Sequence, residues 1–249
     1  MTIALQLYTV RDECAKGFPD ALRKVAAIGY TAVEMAGLYD MEPLAVKEVL
    51  NECGLTAAGS HEGYDGIKQD IDAVIQRNVA LGCRNVTCPW VAGTDSADPA
   101  FWDNLAVEFN AFGKAFKDAG ITFSYHNHAH EFVKVDGQFG LVRLFASTDP
   151  ELVKVEADVG WVWFAGQDPA AFISNYPGRV PLIHAKDHDR EDKNLNRPVG
   201  EGALDWKAVL AAAEKIGTEY VVVEEDRTIL PAMESVARSY VNLKAMGLS

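Results

Sequence analysis

Cysteine is scarce in this chain. Only Cys14, Cys53, Cys83 and Cys88 occur in 249 residues, and no two are spaced as C-x-x-C. So few argue against a disulfide framework or a zinc ribbon, and all four are expected to be reduced and structural. Basic charge is short as well: 23 Lys and Arg face 36 Asp and Glu, a net charge of -13. That balance repels a phosphate backbone, so no nucleic-acid partner is expected. Long apolar runs are missing too, and Met1 to Glu13 shows no basic start followed by an apolar stretch. The expectation is a cytoplasmic protein with no membrane partner. No Pro/Gly/Ser linker or low-complexity tract marks a boundary, so residues 1–249 read as one domain. What the chain does have is apolar content, 49% hydrophobic residues against 24% charged, enough for a large core.

Short β-rich runs alternate with longer segments of helical periodicity, the pattern of a parallel sheet wrapped by helices. Strands are predicted near Ile3–Leu7, Ala32–Met35, Thr56–Ser60, Asn85–Pro89, Thr122–His126, Val153–Ala157, Val180–Lys186 and Tyr220–Glu224. Helices are predicted near Pro19–Ile28, Pro43–Cys53, Ile67–Leu81, Pro99–Ala119, Gly137–Ser147, Pro169–Tyr176, Asp205–Lys215 and Leu230–Met246. Several open on a Pro or close on a Gly, as helix ends favour. A doubly wound open sheet gives the same alternation. The eightfold repeat, and the lack of G-x-G-x-x-G after the first strand, favour closure into an α/β fold, a single (β/α)8 TIM barrel. Asp187–Ala203 is the longest connection without helical pattern, and it follows the seventh strand on the face where such barrels carry active sites.

Ligand-type residues gather where strands end. Glu34 closes the second strand and His61 the third; Tyr125-His126-Asn127-His128 closes the fifth, with His130 and Glu131 beyond. Glu156 and Asp158 share one face of the sixth strand, and His184 and Lys186 one face of the seventh. Glu224, Glu225 and Asp226 end the eighth. Four neighbouring strands can therefore offer His126, Asp158, His184 and Glu224 to one point above the barrel axis. Mixed imidazole and carboxylate ligation suits Mn²⁺, Zn²⁺, Co²⁺ or Fe²⁺ better than Ca²⁺, with Mg²⁺ still open, so one divalent metal ion is expected. Taken singly, an Asp at a strand end is more often a helix N-cap, and a His more often a satisfied polar residue. Five of the six histidines, His61, His126, His128, His130 and His184, nevertheless fall at strand ends or just beyond them. That placement favours the metal reading.

Other features read more plainly. Glu225 and Asp226 are expected to face helix or solvent, and His130 and His188 to be loop residues. The run Trp161-Val162-Trp163-Phe164 reads first as packing of loop on helix and second as an apolar wall over a ligand. Gly200-Glu201-Gly202 is only weakly like a phosphate loop, since two glycines commonly serve a turn.

Taken together, these residues resemble the xylose isomerase-like TIM barrel family, the sugar phosphate isomerases/epimerases whose relatives include inosose dehydratase. The resemblance spans the chain. It rests on Leu5-Gln6-Leu7-Tyr8-Thr9-Val10-Arg11-Asp12, on Gly29-Tyr30 through Glu34, and on Tyr125-His126-Asn127-His128 with Glu131-Phe132. It continues in Glu156-x-Asp158-x-Gly160-Trp161, His184-x-Lys186-Asp187, Gly200-x-Gly202-x-x-Asp205-Trp206 and Val223-Glu224-x-Asp226. It implies that Asp158, His184 and Glu224 are metal ligands. The epimerases usually supply a Glu on the fifth strand, where this chain has His126. Of the two Glu residues that exchange a proton with opposite faces of the substrate carbon, only Glu224 is evident here. Glu156, Lys186, His61 or Glu131 would then supply a second acid or base. Gln6, Tyr8, Glu34, His61, His128, Glu131, Trp161 and Lys186 are the candidate substrate contacts.

The same family holds apurinic-site endonucleases, whose sixth strand carries a His three residues after its Asp; Trp161 stands there instead. The expected activity is metal-assisted removal of a proton beside a carbonyl in a small sugar-like substrate, a ketose, keto-sugar or inosose, with isomerisation or epimerisation as outcome. A lyase such as an inosose dehydratase, which begins with the same step, is the alternative. A non-catalytic sugar-binding barrel is a third reading, disfavoured by metal-type residues at four strand ends. A phosphate on the substrate is not established, because Lys186, Arg190 and Arg227 form no strong basic cluster. The helical exterior can carry a homo-oligomer interface.

Overall fold

A computed structural model describes residues 1–228 and 230–249. Eight parallel strands close into a barrel: β1 Thr2–Gln6, β2 Ala32–Met35, β3 Thr56–His61, β4 Asn85–Cys88, β5 Thr122–His126, β6 Val153–Asp158, β7 Leu182–Ala185 and β8 Tyr220–Val223. Each pairs with its sequence neighbour, and β1 closes the ring on β8 with Ala4 opposite Val222. The predicted strands coincide with these to within a residue or two. Among the described residues no helix is long and apolar enough to cross a membrane.

Two apolar layers hold the barrel. Between sheet and helices lies the main core, to which Ile3, Leu5, Val33, Val86, Phe123, Val155, Ile183 and Val221 contribute from the strands. The helix Pro99–Asp118 adds Trp102, Leu105, Phe109 and Phe116, spaced three, four and seven apart so that they share one face. Each such side chain contributes about 1.5–3 kcal/mol by leaving water. A second, smaller cluster consists of Ala4, Ala32, Ala58, Leu182 and Val222. Each of these stands two residues before a polar one: Gln6, Glu34, Ser60, His184 and Glu224. Because strand side chains alternate, the small apolar plug and the polar set occupy successive levels on the same face of the sheet.

Several departures from the expected boundaries have local causes. The predicted helix Ile67–Leu81 is two helices, Tyr64–Gln69 and Ile71–Leu81, because Asp70 turns out of helical geometry and its carboxylate caps Ala73 N–H. The helix predicted from Gly137 begins at Gly140; Asp136 and Gly137, both at positive φ, turn the hairpin that pairs Lys134–Val135 with Gln138–Phe139. A helix not foreseen, Val159–Phe164, starts directly from β6, its N-terminus capped by Asp158 Oδ1 on Trp161 N–H at 2.8 Å. The long connection after β7 is pinned by pairing of Asp187–His188 with Asn196–Arg197.

Candidate metal centre

The carboxyl ends of the strands converge on a closed polar cluster. His126, Asp158, His184 and Glu224, all buried, offer ligand atoms within 4.8 Å of one another. This is the set that strand alternation selected. A second group, His61, His126, Glu156 and His184, meets the same criterion and shares two histidines with the first. His184 sits between them. Its Nδ1 lies 2.8 Å from Glu224 Oε2, and its Nε2 2.7 Å from Glu34 Oε2 and 3.1 Å from Glu156 Oε1. Burial alone would make His184 harder to protonate, but the Glu156, Glu34 and Glu224 carboxylates hold it well above the ordinary histidine range. For His126 burial wins: with His184 beside it, its pKa is pushed well down despite the opposing pull of Glu156.

Two carboxylates are shaped by their neighbours. Glu34 accepts a hydrogen bond from Gln6 Nε2 at 2.8 Å. Burial, with Glu156 nearby, raises its pKa. A strand irregularity between Val33 and Glu34 brings it opposite Gly59, where a Cβ would stand 2.5 Å from Glu34 Oε1. Only glycine leaves that room. Glu156 is held by His61 Nε2 at 2.7 Å and Thr87 Oγ at 2.8 Å. Thr87 did not emerge from the sequence, although its alternation with Asn85 on β4 points to the same face.

Lys186 supplies a cation inside the cluster. Its Nζ lies 3.0 Å from Asp158 Oδ2, 3.0 Å from Glu224 Oε2 and 2.7 Å from Asp226 Oδ2. Burial opposes the charge, but Asp158, Glu224 and Asp226 together hold its pKa well above the usual lysine range. Asp226, expected to face helix or solvent, thus turns toward the site because Lys186 draws it in. Glu225 does face helix, accepting from Ser235 Oγ at 2.6 Å.

Around this buried floor stands a partly exposed rim. Tyr8 is 45% exposed, with the Arg11 guanidinium stacked on its ring. His128 lies 5.0 Å from His126 and 5.7 Å from Trp161, ring centre to ring centre. Trp161 is therefore not simply packed away between loop and helix, and Lys186 Nζ is 4.9 Å from its ring. Glu131 is spent inside its own loop, accepting from Tyr125 Oη at 2.8 Å and His128 N–H at 2.9 Å. His130 meets Thr94 Oγ at 2.9 Å. His188, expected to be a loop residue, pairs with Asn196 in a short strand and is buried. A cleft of about 490 Å³ opens between Gly63–Gly66, Pro89–Ala92 and Phe101–Glu108. No residue of the cluster lines it. The cluster itself is shut by its own ionic contacts, and its chemistry locates the site better than the size of a neighbouring cleft.

The Gly200-Glu201-Gly202 turn wraps a carboxylate of this chain, not a phosphate. Asp187 accepts from Gly200 N–H and Gly202 N–H at 3.0 Å each, from Leu204 N–H at 3.2 Å and from Trp206 Nε1 at 2.7 Å. Elsewhere the balance is reversed. Among the described residues, the buried side-chain atoms with no hydrogen-bond partner are Glu34 Oε1, His126 Nδ1, His128 Nδ1, Asp158 Oδ2, Trp161 Nε1 and His188 Nε2, with Asn78 Oδ1 and Ser124 Oγ apart from them. Asp158 Oδ2 and Lys186 Nζ are close but lack hydrogen-bond geometry, as do His126 Nδ1 and Glu156 Oε1 at 3.2 Å. Buried polar groups are nearly always paired, so a concentration of unpaired ones marks a place built for something to bind.

Known proteins match this architecture. A family model described as xylose isomerase-like TIM barrel matches residues 22–240. Inosose dehydratase of Geobacillus kaustophilus (strain HTA426) is 24% identical over 245 residues, covering 83% of this chain and 79% of that enzyme. Inosose dehydratase of Lacticaseibacillus casei is 26% identical over 143 residues, 51% of this chain, and the match spans about half (47%) of that relative. A sugar phosphate isomerase/epimerase from Parabacteroides distasonis ATCC 8503 superposes with a TM-score of 0.84 at 25% identity, over 99% of this chain and 94% of the other.

Proposed function

The chain belongs to the xylose isomerase-like TIM barrel family, and from that premise we propose that it is a metal-dependent enzyme removing a proton beside a carbonyl of a keto-sugar, ketose or inosose. The observation that carries this reading is the buried His126, Asp158, His184 and Glu224 set, in which Asp158 Oδ2 is unpartnered. The donor set fits a divalent cation: two imidazoles and two carboxylates converge within 4.8 Å, and the two carboxylates, which hold the Lys186 ammonium at 3.0 Å, already gather positive charge there. Neutral His184 would offer one nitrogen and keep the other N–H on a carboxylate, the kind of partner that orients a metal-bound imidazole. Mn²⁺, Zn²⁺, Co²⁺, Fe²⁺ or Mg²⁺ would supply Lewis acidity toward the substrate's carbonyl oxygen.

Glu224 is the proton acceptor in this reading. It lies at the strand end beside His184 and Lys186, within the same cluster. Glu156, against the opposite nitrogen of His184, is the second carboxylate that isomerisation or epimerisation needs, with His61 as its proton partner at 2.7 Å. Lys186, surrounded by carboxylates, keeps its proton at neutral pH, so it is a proton donor in this reading and not a base. That supports a second reading, loss of a β-hydroxyl as water, in which Lys186 protonates the leaving oxygen; the inosose dehydratase relatives favour it.

Both readings start with C–H cleavage, so deuterium wash-in tests them together. Metal-loaded protein with keto-sugars and inososes in D₂O should exchange the hydrogen beside the carbonyl. Glu224→Gln, assayed at saturating Mn²⁺, should slow exchange and turnover together. Turnover without label in product or recovered substrate, together with intramolecular retention of a substrate deuterium, would instead establish a hydride shift.

A further inference from the structure

His188 and Trp161 stand outside the metal-type set, yet each carries an unused polar atom. His188 is 1% exposed and boxed by Trp161, Trp163 and Phe164, each ring centred 5.6 Å away. Its Nδ1 lies 2.7 Å from the Lys193 carbonyl oxygen. A carbonyl only accepts, so Nδ1 carries the proton and the neutral ring leaves a lone pair on Nε2. That Nε2 has no partner. Neither has Trp161 Nε1, which can only donate. Trp161 lies three residues beyond Asp158, and His188 two beyond Lys186, so both stand at the barrel end that carries the cluster, with Lys186 Nζ 4.9 Å from the Trp161 ring.

We propose that Trp161 Nε1 and His188 Nε2 together read one neutral hydroxyl group of the substrate, Trp161 donating to its oxygen and His188 accepting its hydrogen. This rests on the proton-abstraction reading and deepens it by assigning a specificity pair. A hydroxyl both donates and accepts, and so satisfies the two atoms at once. The oxygens of a phosphate dianion only accept; one of them would satisfy Trp161 and turn its lone pairs against that of His188. The pair therefore selects an unphosphorylated, hydroxyl-bearing group at this position. The nearby cations are otherwise engaged: Lys193 Nζ lies 4.1 Å from the Phe164 ring, and Arg190 Nε donates to the Gly202 carbonyl oxygen at 2.8 Å.

Calorimetry on Mn²⁺-loaded protein tests this with myo-inositol, its monodeoxy derivatives and myo-inositol 1-phosphate as probes. One monodeoxy derivative should bind wild type about ten-fold more weakly than the parent, the cost of a buried site left unpaired. In His188→Phe, which keeps an aromatic ring in the box, that derivative and the parent should bind equally. His188→Gln, which restores an acceptor, should recover part of the discrimination, and it also serves if the Phe variant does not fold. Trp161→Phe should lose discrimination at the same position. Deoxy penalties unchanged in both Phe variants would overturn the proposal. So would tighter binding of the phosphate than of the parent, or no binding of myo-inositol. If the His188-dependent penalty appears but no deuterium exchange does, proton abstraction fails and the hydroxyl pair stands. The reverse result sinks only the pair.

Discussion

Asp158 and Asp187 lie on the chain at the ends of neighbouring strands, both fully buried, and their carboxylates have opposite circumstances. Asp187 Oδ2 alone receives two backbone N–H groups and an indole N–H. Asp158 spends one oxygen on a helix cap and leaves the other with no hydrogen bond, only the Lys186 ammonium 3.0 Å away. A buried charge fully surrounded by donors is a structural element; one that faces two histidines, another carboxylate and the Lys186 ammonium with one oxygen outside any hydrogen bond keeps capacity for a ligand. Burial alone does not separate structure from function. Satisfaction does.

The comparison breaks most visibly in activity. Glu224→Gln at saturating Mn²⁺ should lower turnover by about 10²–10⁴-fold, the usual share of a positioned proton-transfer group, with little change in thermal stability. Asp187→Ala should do the opposite. By leaving buried N–H groups unpaired it should cost about 3 kcal/mol or more, measured by denaturant unfolding, while metal stays bound. Gly202→Ala sharpens the point: a Cβ would stand 2.2 Å from Asp187 Oδ1, so about 1–3 kcal/mol of overpacking is expected with no new chemistry. Asp70→Ala, which removes an N-cap remote from either carboxylate, should cost about 1 kcal/mol and leave kinetics unchanged.

The smallest expected effect is a pH dependence in the loop that Asp187 anchors. Backbone N–H of Asp192, the Arg197 guanidinium and backbone N–H of Glu191 hold Asp189 down to about 2, against 3.8 ordinarily. A depressed carboxyl adds stability that is full above the unfolded value and disappears as pH falls through the folded one. Asp189→Asn should therefore melt below wild type at pH 5, and the gap should close as the pH approaches 2.

Much of this was legible in the sequence. Period-two alternation on β6 and β7 was enough to put Glu156, Asp158, His184 and Lys186 on one face, and the eightfold repeat was enough to close the barrel. Asp70 hid a helix break because an Asp within an apolar periodicity reads as a solvated position until its carboxylate finds Ala73 N–H. His188 and Asp226 escaped because their placement depends on long-range partners, an Asn196–Arg197 strand and the Lys186 ammonium, that spacing does not encode. The weighing of Asp158 as cap or ligand had no single answer, since its two oxygens face different ways.

Metal content of the purified protein tests the central contrast most directly. Anaerobically purified wild type, reconstituted and desalted, should hold about one divalent ion per chain by elemental analysis. Asp158→Asn should hold far less while keeping wild-type circular dichroism, because it changes the unpartnered oxygen without enlarging the side chain. No ion in wild type, three ions per chain, or full retention by Asp158→Asn would contradict the account.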